Sequence, residues 1–368
     1  MKVLLVAGAR PNFMKIAPIC RAALSLPGVD CRIVHTGQHY DYEMSQAFFS
    51  DLELPAPDHF LDAGSGTHAE QTAKIMLAFE KVCADQKPGL VIVVGDVNST
   101  LACSVVAKKM LIQVAHVEAG LRSFDLAMPE EINRMVTDTL SDLFFVTEES
   151  GRRNLLREGK PAERIHLVGN VMVDNLFHQA DLLATLDAAA FPTAGLKAEC
   201  NGYAFLTLHR PSNVDRRETL EEIMAALAII AEERPIIFAV HPRTRNMIAT
   251  HGIELPPAVR PLKPLGFREA LFLWKDAAVV LTDSGGLQEE TTALKVPCVT
   301  IRENTERPIT IEMGTNVLAG TSSKGILAAY RRALSQDLKA VSGPPLWDGN
   351  AANRIWQAIL EHVRATPI

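Results

Sequence analysis

The sequence predicts an α/β protein made of two Rossmann-like halves, on three observations. The chain has 368 residues, of which 48% are hydrophobic, and domains usually hold about 100–200 residues, so two domains are expected. Short apolar runs alternate with segments of helical periodicity along nearly the whole chain, which is typical of a doubly wound parallel sheet. The alternation is interrupted between Asn170 and Gly202 and then starts again.

The apolar runs of the first half are rich in β-branched residues and apolar on both faces, as buried parallel strands are. Helix-like segments such as Thr67–Lys87 separate them, so the first half reads as repeated strand-helix units. The predicted strands are Val3–Gly8, Cys31–Gly37, Leu90–Asp96, Gln113–Gly120, Leu143–Glu148 and Ile165–Asn170.

The second half repeats this pattern. A helix is predicted between its first two strands, because Leu220, Ile223, Leu227 and Ile230 are spaced three and four residues apart on one face. We therefore expect an N-terminal Rossmann-like domain over residues 1–172 and a C-terminal one over residues 173–349. The predicted strands of the second half are Ala204–Arg210, Pro235–Arg243, Ala278–Gly286 and Pro297–Glu303.

The overall composition excludes several classes of protein. The formal net charge of -6 argues against a general nucleic-acid binder, and no apolar run reaches the roughly 18–20 residues of a membrane span. The N-terminal stretch "MKVLLVAGARP" is too short in apolar residues for a signal peptide and is predicted to be the first strand. None of the six cysteines forms a C-x-x-C pair, so we expect buried free thiols and a cytoplasmic protein.

Polar side chains follow the predicted strands, at the edge where parallel α/β sheets carry their functional groups. A polar residue at one strand end is common in any protein. Eight such ends, in two domains that could face each other, favour an enzyme with a cleft between the domains. They contain Arg10 and Lys15, Gln38 and His39, Asp96, His116 and Glu118, His209 and Arg210, His241 and Arg243, Asp283 to Gly286, and Arg302 to Arg307.

The segment from Val279 to Pro308, "VVLTDSGGLQEETTALKVPCVTIRENTERP", carries the most specific chemistry. Ser284, Gly285 and Gly286 lie where a strand turns into a helix, so a ligand phosphate can approach the free N–H groups of the helix start. A tight turn with a helix cap would explain the serine but not both glycines.

Two charged side chains complete the predicted nucleotide site in this segment. Glu290 lies further along the same helix and can accept hydrogen bonds from ribose hydroxyls, as acidic residues do in dinucleotide folds. Arg307 can give charge-assisted hydrogen bonds to phosphate.

The acidic candidates of the first half are Asp96 and Glu118, which end neighbouring strands, and the pair Glu130 and Glu131. The pair opens a helix in "MPEEINR" with Pro129 near its first position. Glutamates there stabilise the helix dipole, so at least one of them is expected to be structural. Carboxylates in a nearly closed cleft can have raised pKa values and exchange protons with a substrate.

The triplet His116-Val117-Glu118 raises the question of a metal site. The H-x-E pattern occurs in zinc deaminases, but there it is paired with P-C-x-x-C. The sequence has no such partner, so no metal is expected.

Taken together, the motifs resemble the non-hydrolysing UDP-N-acetylglucosamine 2-epimerases over nearly the whole chain. The motifs, in order, are "GARPNFMKIAPI", "TGQHYD", "GDVNST", "HVEAGLRS", "MPEEINR", "LTLHRPSNVD", "HPRTR", "DSGGLQEE" and "RENTERP". The resemblance implies a GT-B fold with a UDP site on the C-terminal domain, a last helix (350–366) that packs on the first domain, and a homodimer.

The resemblance also implies a mechanism without cofactor or metal. UDP is eliminated to give a 2-acetamidoglucal and is then added back with the opposite configuration at carbon 2. We expect Asp96 and Glu118 nearest the transferred proton, with Glu130 supporting them and His209 beside the diphosphate, where cations must offset the charge of the leaving UDP. The implied UDP-sugar contacts are Arg10, Lys15, His209, Ser284, Gly285, Gly286, Glu290 and Arg307.

The chain departs from the family pattern in two places and leaves alternatives open. Tyr40 stands where many bacterial members have an arginine that helps to bind a regulatory second sugar nucleotide, and Ala9 and Asn12 replace the commoner threonine and glutamate. A hydrolysing 2-epimerase shares most of these motifs, and a GT-B glycosyltransferase would need an acceptor patch that the first domain lacks. The sugar can be N-acetylglucosamine or its 3-acetamido or uronate variant.

Overall fold

The computed structural model describes residues 1–37, 49 and 52–365, so Tyr40, at which the chain departs from the regulatory pattern, lies outside the described residues, as do Gln38 and His39. The chain divides into two compact units: Met1–His178 with Pro345–Ile368, here unit 1, and Gln179–Pro344, here unit 2. Each unit is built on one parallel sheet flanked by helices, which confirms the predicted α/β class. None of the described helices is long and apolar enough to cross a membrane.

The sheets of the two units have the same strand logic. The sheet of unit 1 has the order β3-β2-β1-β4-β5-β6-β7 and that of unit 2 the order β10-β9-β8-β11-β12-β13, and all their neighbouring strands run parallel. The strands are β1 Lys2–Ala7, β2 Asp30–His35, β3 His59–Phe60, β4 Leu90–Val94, β5 Gln113–Val117, β6 Leu143–Val146, β7 Ile165–Leu167, β8 Ala204–Thr207, β9 Ile236–Ala239, β10 Val259–Leu262, β11 Val279–Thr282, β12 Cys298–Thr300 and β13 Asn316–Leu318.

The helices begin where the sequence offers caps. Thr67 caps the second helix by accepting a hydrogen bond from the Glu70 N–H at 3.2 Å, and Glu70 accepts one from the Thr67 N–H at 3.0 Å, which is a capping box. The helices are α1 Arg10–Leu24, α2 His68–Gln86, α3 Asn98–Lys109, α4 Pro129–Leu140, α5 Glu149–Arg157, α6 Val171–Thr185, α7 Ala194–Glu199, α8 Pro211–Val214, α9 Arg217–Glu233, α10 Pro242–His251, α11 Phe267–Trp274, α12 Gly285–Ala293, α13 Ile309–Glu312, α14 Ser323–Leu334 and α15 Ala351–Ala365.

The last helix, α15, belongs to unit 1. Its Trp356 is 1% exposed and donates a hydrogen bond from Nε1 to the Ile19 carbonyl of α1 at 2.8 Å. The Asp174 carboxylate accepts hydrogen bonds from the first two N–H groups of α15, at 3.1 and 2.7 Å. The chain therefore returns to the first sheet after completing the second.

Three strands were not predicted, and all three are sheet edges: β3, β10 and β13. An edge strand is covered on fewer sides, so its sequence need not be apolar throughout. Strand β10 includes the exposed Arg260 and Pro261, and β3 has no fully buried residue. Continuous apolar runs mark strands that are buried on both faces, such as β4, and do not mark these edge strands.

In each sheet the strand order reverses beside the first strand, between β1 and β4 in unit 1 and between β8 and β11 in unit 2. Open α/β sheets bind ligands at the carboxyl ends of the strands at such a switch point. The two switch points are therefore the places at which to look for the predicted site residues.

Candidate functional site

Asn12 ties the two strands of the unit 1 switch point together. Its Oδ1 accepts hydrogen bonds from the Gly8 and Ala9 N–H groups at 3.3 and 2.9 Å, and its Nδ2 donates to the Val94 carbonyl at 3.2 Å. The side chain is buried. A glutamate carboxylate could not donate to Val94, so the departure from the family pattern at this position gives the start of α1 a direct bond to the end of β4.

Lys15 and Glu118 form an ion pair beside this turn, and their side chains are 12% and 9% exposed. Glu118 follows β5 with φ at +72°, a left-handed backbone that costs a non-glycine residue free energy. The N–H groups of Glu118 and Ala119 donate to the Phe145 carbonyl at 3.0 and 3.1 Å and hold this conformation. Strained backbone of this kind is concentrated at functional sites.

Gly95, at the end of β4, leaves the room that this pair needs. A Cβ at this position would lie 2.9 Å from Lys15 Nζ and 3.4 Å from Glu118 Oε2. The φ of Gly95 is also positive, at +66°. Asp96 follows Gly95 directly in the sequence.

Asp96 is held by two residues of α4. Its Oδ2 accepts a hydrogen bond from Arg134 Nη1 at 2.5 Å, and its backbone carbonyl accepts one from Asn133 Nδ2 at 2.9 Å. The Asp96 side chain is 31% exposed. The carboxylate is therefore oriented by the protein and still reachable from solution.

The structure separates the roles of the two neighbouring glutamates. Glu131 is 1% exposed and accepts hydrogen bonds from the Ser123 and Phe124 N–H groups, at 2.9 and 3.0 Å, and from Arg134 at 2.7 Å. Burial raises the pKa of Glu131, but these bonds outweigh it and hold the pKa below its usual value. Glu131 is therefore structural.

Glu130 is exposed on the first turn of α4. Within the described part of the chain its side chain forms no hydrogen bond or ion pair. The structure thus does not bring Glu130 together with Asp96 or Glu118.

His116 and Asp138 form a buried pair that the sequence analysis did not assign. His116 Nδ1 lies 2.7 Å from Asp138 Oδ1 and Nε2 lies 2.8 Å from the Gly95 carbonyl. Both side chains are fully buried. With both ring nitrogens hydrogen-bonded, His116 has none left for the metal that the H-x-E triplet brought into question.

A sequence signal for this pair exists in α4. Glu131, Arg134 and Asp138 are spaced three and four residues apart and are buried, while Ile132 and Met135 are exposed. The helix therefore buries its charged face and exposes its apolar one. This inverted pattern identifies the charged face as part of a polar network.

In unit 2, Ser284 caps α12 by accepting a hydrogen bond from the Leu287 N–H at 3.4 Å. Gly285 and Gly286 are the first helical residues. Neither has a positive φ, and a Cβ at either position would meet nothing within 4 Å. Since neither backbone conformation nor internal packing requires these glycines, the space they leave is suited to a ligand at the helix N-terminus.

Glu290 lies one turn after Gly286 on the same face of α12. It is buried and forms no hydrogen bond or ion pair with the described residues. Burial, and then the neighbouring Glu289, raise the pKa of Glu290 to about 8. Glu289 in turn binds Arg307, with Oε1 at 2.8 Å from Nε, so Arg307 is fixed beside the same helix.

Asp283 organises the switch point of unit 2 and was not assigned from the sequence. It is fully buried, and its Oδ2 accepts hydrogen bonds from the His209 and Arg210 N–H groups at 2.9 Å each. Its Oδ1 lies 2.8 Å from His209 Nδ1. The carboxylate thus fixes the proton on Nδ1 and turns the imidazole, whose side chain is 40% exposed.

The predicted residues therefore fall into two groups, one in each unit. Unit 1 brings Lys15, Glu118 and the turn of Asp96 together, with Glu130 apart. Arg10 begins α1, and its side chain is not among those the structure describes. In unit 2, the ends of β8, β11 and β12 carry His209, Ser284, Gly285, Gly286, Glu290 and Arg307.

Two parallel α/β sheets with polar groups at the carboxyl ends of their strands define a GT-B-like enzyme. The family model described as UDP-N-acetylglucosamine 2-epimerase matches residues 22–360. The chain belongs to the UDP-N-acetylglucosamine 2-epimerase family, which is a family of isomerases.

Similar proteins cover nearly the full length of the chain. The UDP-N-acetylglucosamine 2-epimerase of Methanocaldococcus jannaschii is 42% identical over 363 residues, which are 96% of this chain and 98% of the relative. The crystal structure of the M. jannaschii enzyme with UDP-GlcNAc and UDP superposes with a TM-score of 0.85 over 98% of this chain and 100% of that one, at 40% identity. The UDP-2,3-diacetamido-2,3-dideoxy-D-glucuronate 2-epimerase of Pseudomonas aeruginosa is 38% identical over 358 residues, 96% of this chain and 98% of the relative.

Proposed function

We propose that the protein interconverts UDP-N-acetylglucosamine and UDP-N-acetylmannosamine by eliminating UDP and adding it back without hydrolysis. Its family and its M. jannaschii relative support the reaction class. The observation that carries the proposal is Glu118. Glu118 has a left-handed backbone and lies beside Lys15. It is placed at a switch point, where α/β proteins bind their ligands and where a carboxylate can act as an acid or base on a substrate.

Unit 2 holds the nucleotide in this proposal. The diphosphate lies at the N-terminus of α12, where Gly285 and Gly286 leave space and offer N–H groups. Glu290 accepts hydrogen bonds from the ribose hydroxyls, and Arg307 and His209 donate to the diphosphate. These donors stabilise the charge that develops on UDP as its bond to carbon 1 breaks.

Unit 1 supplies the acid–base groups. Either Glu118 or Asp96 removes the proton from carbon 2 as UDP leaves, which gives the 2-acetamidoglucal. A carboxylic acid then returns a proton to the opposite face as UDP adds back. Lys15 forms an ion pair with Glu118 and holds the carboxylate in place. A supporting role for Glu130 stays a prediction.

A proton-NMR time course with UDP-N-acetylglucosamine in deuterated water tests this function. The expected result is an equilibrium mixture that contains UDP-N-acetylmannosamine, with deuterium at carbon 2 of both sugars and intact UDP-sugars throughout. Free N-acetylmannosamine and UDP that accumulate with turnover would instead identify a hydrolysing enzyme. Transfer of the sugar to an added acceptor would identify a glycosyltransferase.

A second candidate substrate is UDP-2,3-diacetamido-2,3-dideoxy-glucuronate. The observation that favours it is the P. aeruginosa relative, which covers as much of this chain as the M. jannaschii one. Both sugars present the same UDP end, so the contacts proposed for unit 2 do not distinguish them. Comparison of kcat/KM for the two substrates decides, and the preferred one is expected to differ by at least about tenfold, since a site with polar groups for one substituent leaves them unpaired with the other.

We also propose that the protein forms a homodimer through the outer face of α3 and α4. Ile132 and Met135 of α4 are 47% and 40% exposed, and Leu101 and Val105 of α3 are half-buried. Exposed apolar faces of this kind mark protein interfaces. A copy of the same chain is the partner, because the family implies a homodimer.

Light scattering behind a sizing column tests the interface. The wild type is expected to run as a dimer, and Ile132→Glu with Met135→Glu as a monomer. Leu24→Glu is the matched control, since Leu24 is 81% exposed at the end of α1, and this variant is expected to stay dimeric. A monomeric wild type contradicts the proposal.

The cysteines fit a cytoplasmic location, which we propose for the protein. All six are free thiols, and five of them are buried. Thiols persist in the reducing cytoplasm. Fractionation of the producing cells, with a cytoplasmic marker followed in parallel, tests the location.

A further inference from the structure

We propose that His116 is a positioning residue: together with Asp138 it forms a buried charge pair that holds the two turns carrying Asp96 and Glu118 in register. The inference rests on the proposed function of these two carboxylates. His116 lies two residues before Glu118 and binds the carbonyl of Gly95, the residue before Asp96. The His116 ring therefore contacts the turn that carries Asp96 directly. His116 itself belongs to β5, the strand that leads into the turn of Glu118.

The ring is a double donor. Nδ1 lies 2.7 Å from a carboxylate oxygen of Asp138 and Nε2 lies 2.8 Å from the Gly95 carbonyl oxygen. Both partners can only accept, so the neutral ring would direct a lone pair at one of them. The geometry is satisfied when both nitrogens carry a proton and the ring is a cation paired with the Asp138 anion.

Asp138 extends the pair to the second turn. Its Oδ2 accepts a hydrogen bond from the Gly120 N–H at 3.1 Å, two residues after Glu118. Gly120 has φ at +78°, and a Cβ at this position would lie 2.3 Å from the Gly151 carbonyl oxygen, so the turn after β5 accepts only glycine here. The pair thus bonds Gly95 before one carboxylate and Gly120 after the other.

The charges that face the pair are few. Arg122 lies 2.7 Å from Asp138 Oδ2 and also binds Glu158 at 2.7 Å. Burial raises the pKa of Asp138, but His116 and Arg122 outweigh it and hold that pKa below its usual value. On the same helix, Arg134 binds Asp96 rather than Asp138. Among the described residues, the hydrogen-bond partners of the ring are the Asp138 carboxylate and the Gly95 carbonyl.

Stability alone does not account for these groups. A buried ion pair is usually no more stabilising than apolar residues of the same volume, because both charges lose their hydration. Hydrogen bonds from a fixed charge do constrain direction, and a carboxylate displaced by about 1 Å can cost about 100-fold in rate. A pair that fixes Gly95 and Gly120 supplies that constraint to Asp96 and Glu118.

Asp138→Asn tests the inference, with Asp142→Asn as its matched control. Asp142 lies between α4 and β6 and forms an ion pair with Lys108 at 2.8 Å, and it accepts a hydrogen bond from the Val114 N–H at 2.9 Å. That bond lies near the start of β5 rather than its end. Asp138→Asn is expected to lower kcat by about 100-fold with an unchanged Kd for UDP, while Asp142→Asn keeps kcat within twofold. Equal losses in both variants, or none in Asp138→Asn, would overturn the proposal.

Nitrogen-15 NMR of the histidine rings tests the charge directly on the wild-type protein. The expected His116 signal, assigned by its absence in His116→Asn, shows a proton on both ring nitrogens, as the two hydrogen bonds require. A neutral ring overturns the proposal whether or not the variants fold. Because this readout needs no substrate, its result stands apart from a failure of the proposed epimerase activity, which would show as an inactive wild type.

Discussion

The two switch points share a buried side chain that links their strands, but they differ in how their carboxylates are paired. Each is tied across the reversal of strand order by one buried side chain, Asn12 to Val94 in unit 1 and Asp283 to His209 in unit 2. In unit 1, each carboxylate forms an ion pair with a cation of the same unit, Glu118 with Lys15 and Asp96 with Arg134. In unit 2, the buried Glu290 has no such cation among the described residues, and the N-terminus of α12 has space for a ligand.

This difference indicates what each unit contributes. Charges paired before the substrate arrives need no reorganisation during the reaction, which is the condition for efficient acid–base and electrostatic catalysis. A buried carboxylate that has a raised pKa and no partner among the described residues indicates a site that a ligand completes. Unit 1 is thus suited to the chemistry and unit 2 to holding the nucleotide.

The largest expected effect separates the two contributions. Glu118→Gln and Asp96→Asn keep the side-chain shapes and remove the acid–base groups, so turnover should fall by about 10²–10⁴-fold. The Kd for UDP should change little, because the proposed nucleotide contacts lie mainly in unit 2. Steady-state kinetics and calorimetry with UDP measure both quantities.

An exposed carboxylate provides the control for these variants. Glu80→Gln on α2, at an exposed position, should keep full turnover. If Glu118→Gln keeps turnover within roughly threefold of wild type, well below the expected loss, Glu118 is a structural carboxylate and the contrast between the units fails.

The second expected effect concerns the open space in unit 2. The added Cβ of Gly286→Ala meets no atom of the rest of the described chain within 4 Å and improves helix propensity, so the free protein should be as stable or more stable. The added methyl group intrudes on a phosphate at the helix start, and the Kd for UDP should rise by about 30-fold, or about 2 kcal/mol.

Gly195→Ala is the matched control for this substitution. Gly195 also lies in the first turn of a unit 2 helix, α7, and a Cβ there meets nothing within 4 Å either. Its Kd for UDP should equal that of the wild type. Equal affinities of wild type and Gly286→Ala would place the diphosphate elsewhere.

The sequence predicted the sheets and the strand ends well, for a physical reason. Central parallel strands are buried on both faces, so their composition alone marks them, and each such strand ends at the site. The edge strands β3 and β10 escaped because their exposure removes that signal. Asp283 escaped as well, since its role depends on N–H groups of His209 and Arg210 that lie far away in the sequence.

The choice between Glu130 and Glu131 shows what one more step of sequence reasoning could add. The helix-dipole argument predicts that at least one of them is structural, but it treats both alike. Glu131 is in phase with Arg134 and Asp138 along α4, and these three are among its buried residues. Helical phase therefore distinguishes the two glutamates, whereas the left-handed backbone of Glu118 has no signature in the sequence.

A third prediction uses the pKa of Glu290, which burial raises to about 8. As pH rises from 7 to 9, the carboxylate ionises and becomes the stronger acceptor for ribose hydroxyls, so UDP should bind more tightly. Glu290→Gln should weaken binding by about tenfold, or about 1.4 kcal/mol, and remove the pH dependence. Calorimetric titrations at a series of pH values check both.

The same group predicts the stability of the free protein. Because its folded-state pKa is raised above the usual value, the contribution of Glu290 to stability is fully present at acidic pH and is lost as pH rises through about 8. Glu290→Gln should therefore melt higher than wild type at pH 9 and like it below pH 5. Glu289→Gln, which breaks the pair with Arg307, should melt lower than wild type at both pH values. If Glu290→Gln also melts lower at both pH values, the Glu290 carboxylate has a stabilising partner and the prediction is wrong.

The smallest expected effect measures the strain stored at Glu118 in unit 1. Glu118→Ala and Glu118→Gly both lose the ion pair with Lys15, so their difference isolates the backbone at φ +72°. Glycine adopts this conformation without the steric cost that alanine has, and Glu118→Gly should be the more stable variant by about 1 kcal/mol in chemical denaturation. At an ordinary helical position the order reverses: Ala73→Gly, on the exposed face of α2, should lose about 1 kcal/mol. If Glu118→Gly is instead the less stable variant, as at position 73, the backbone of Glu118 is not strained and the unit 1 turn is an ordinary one.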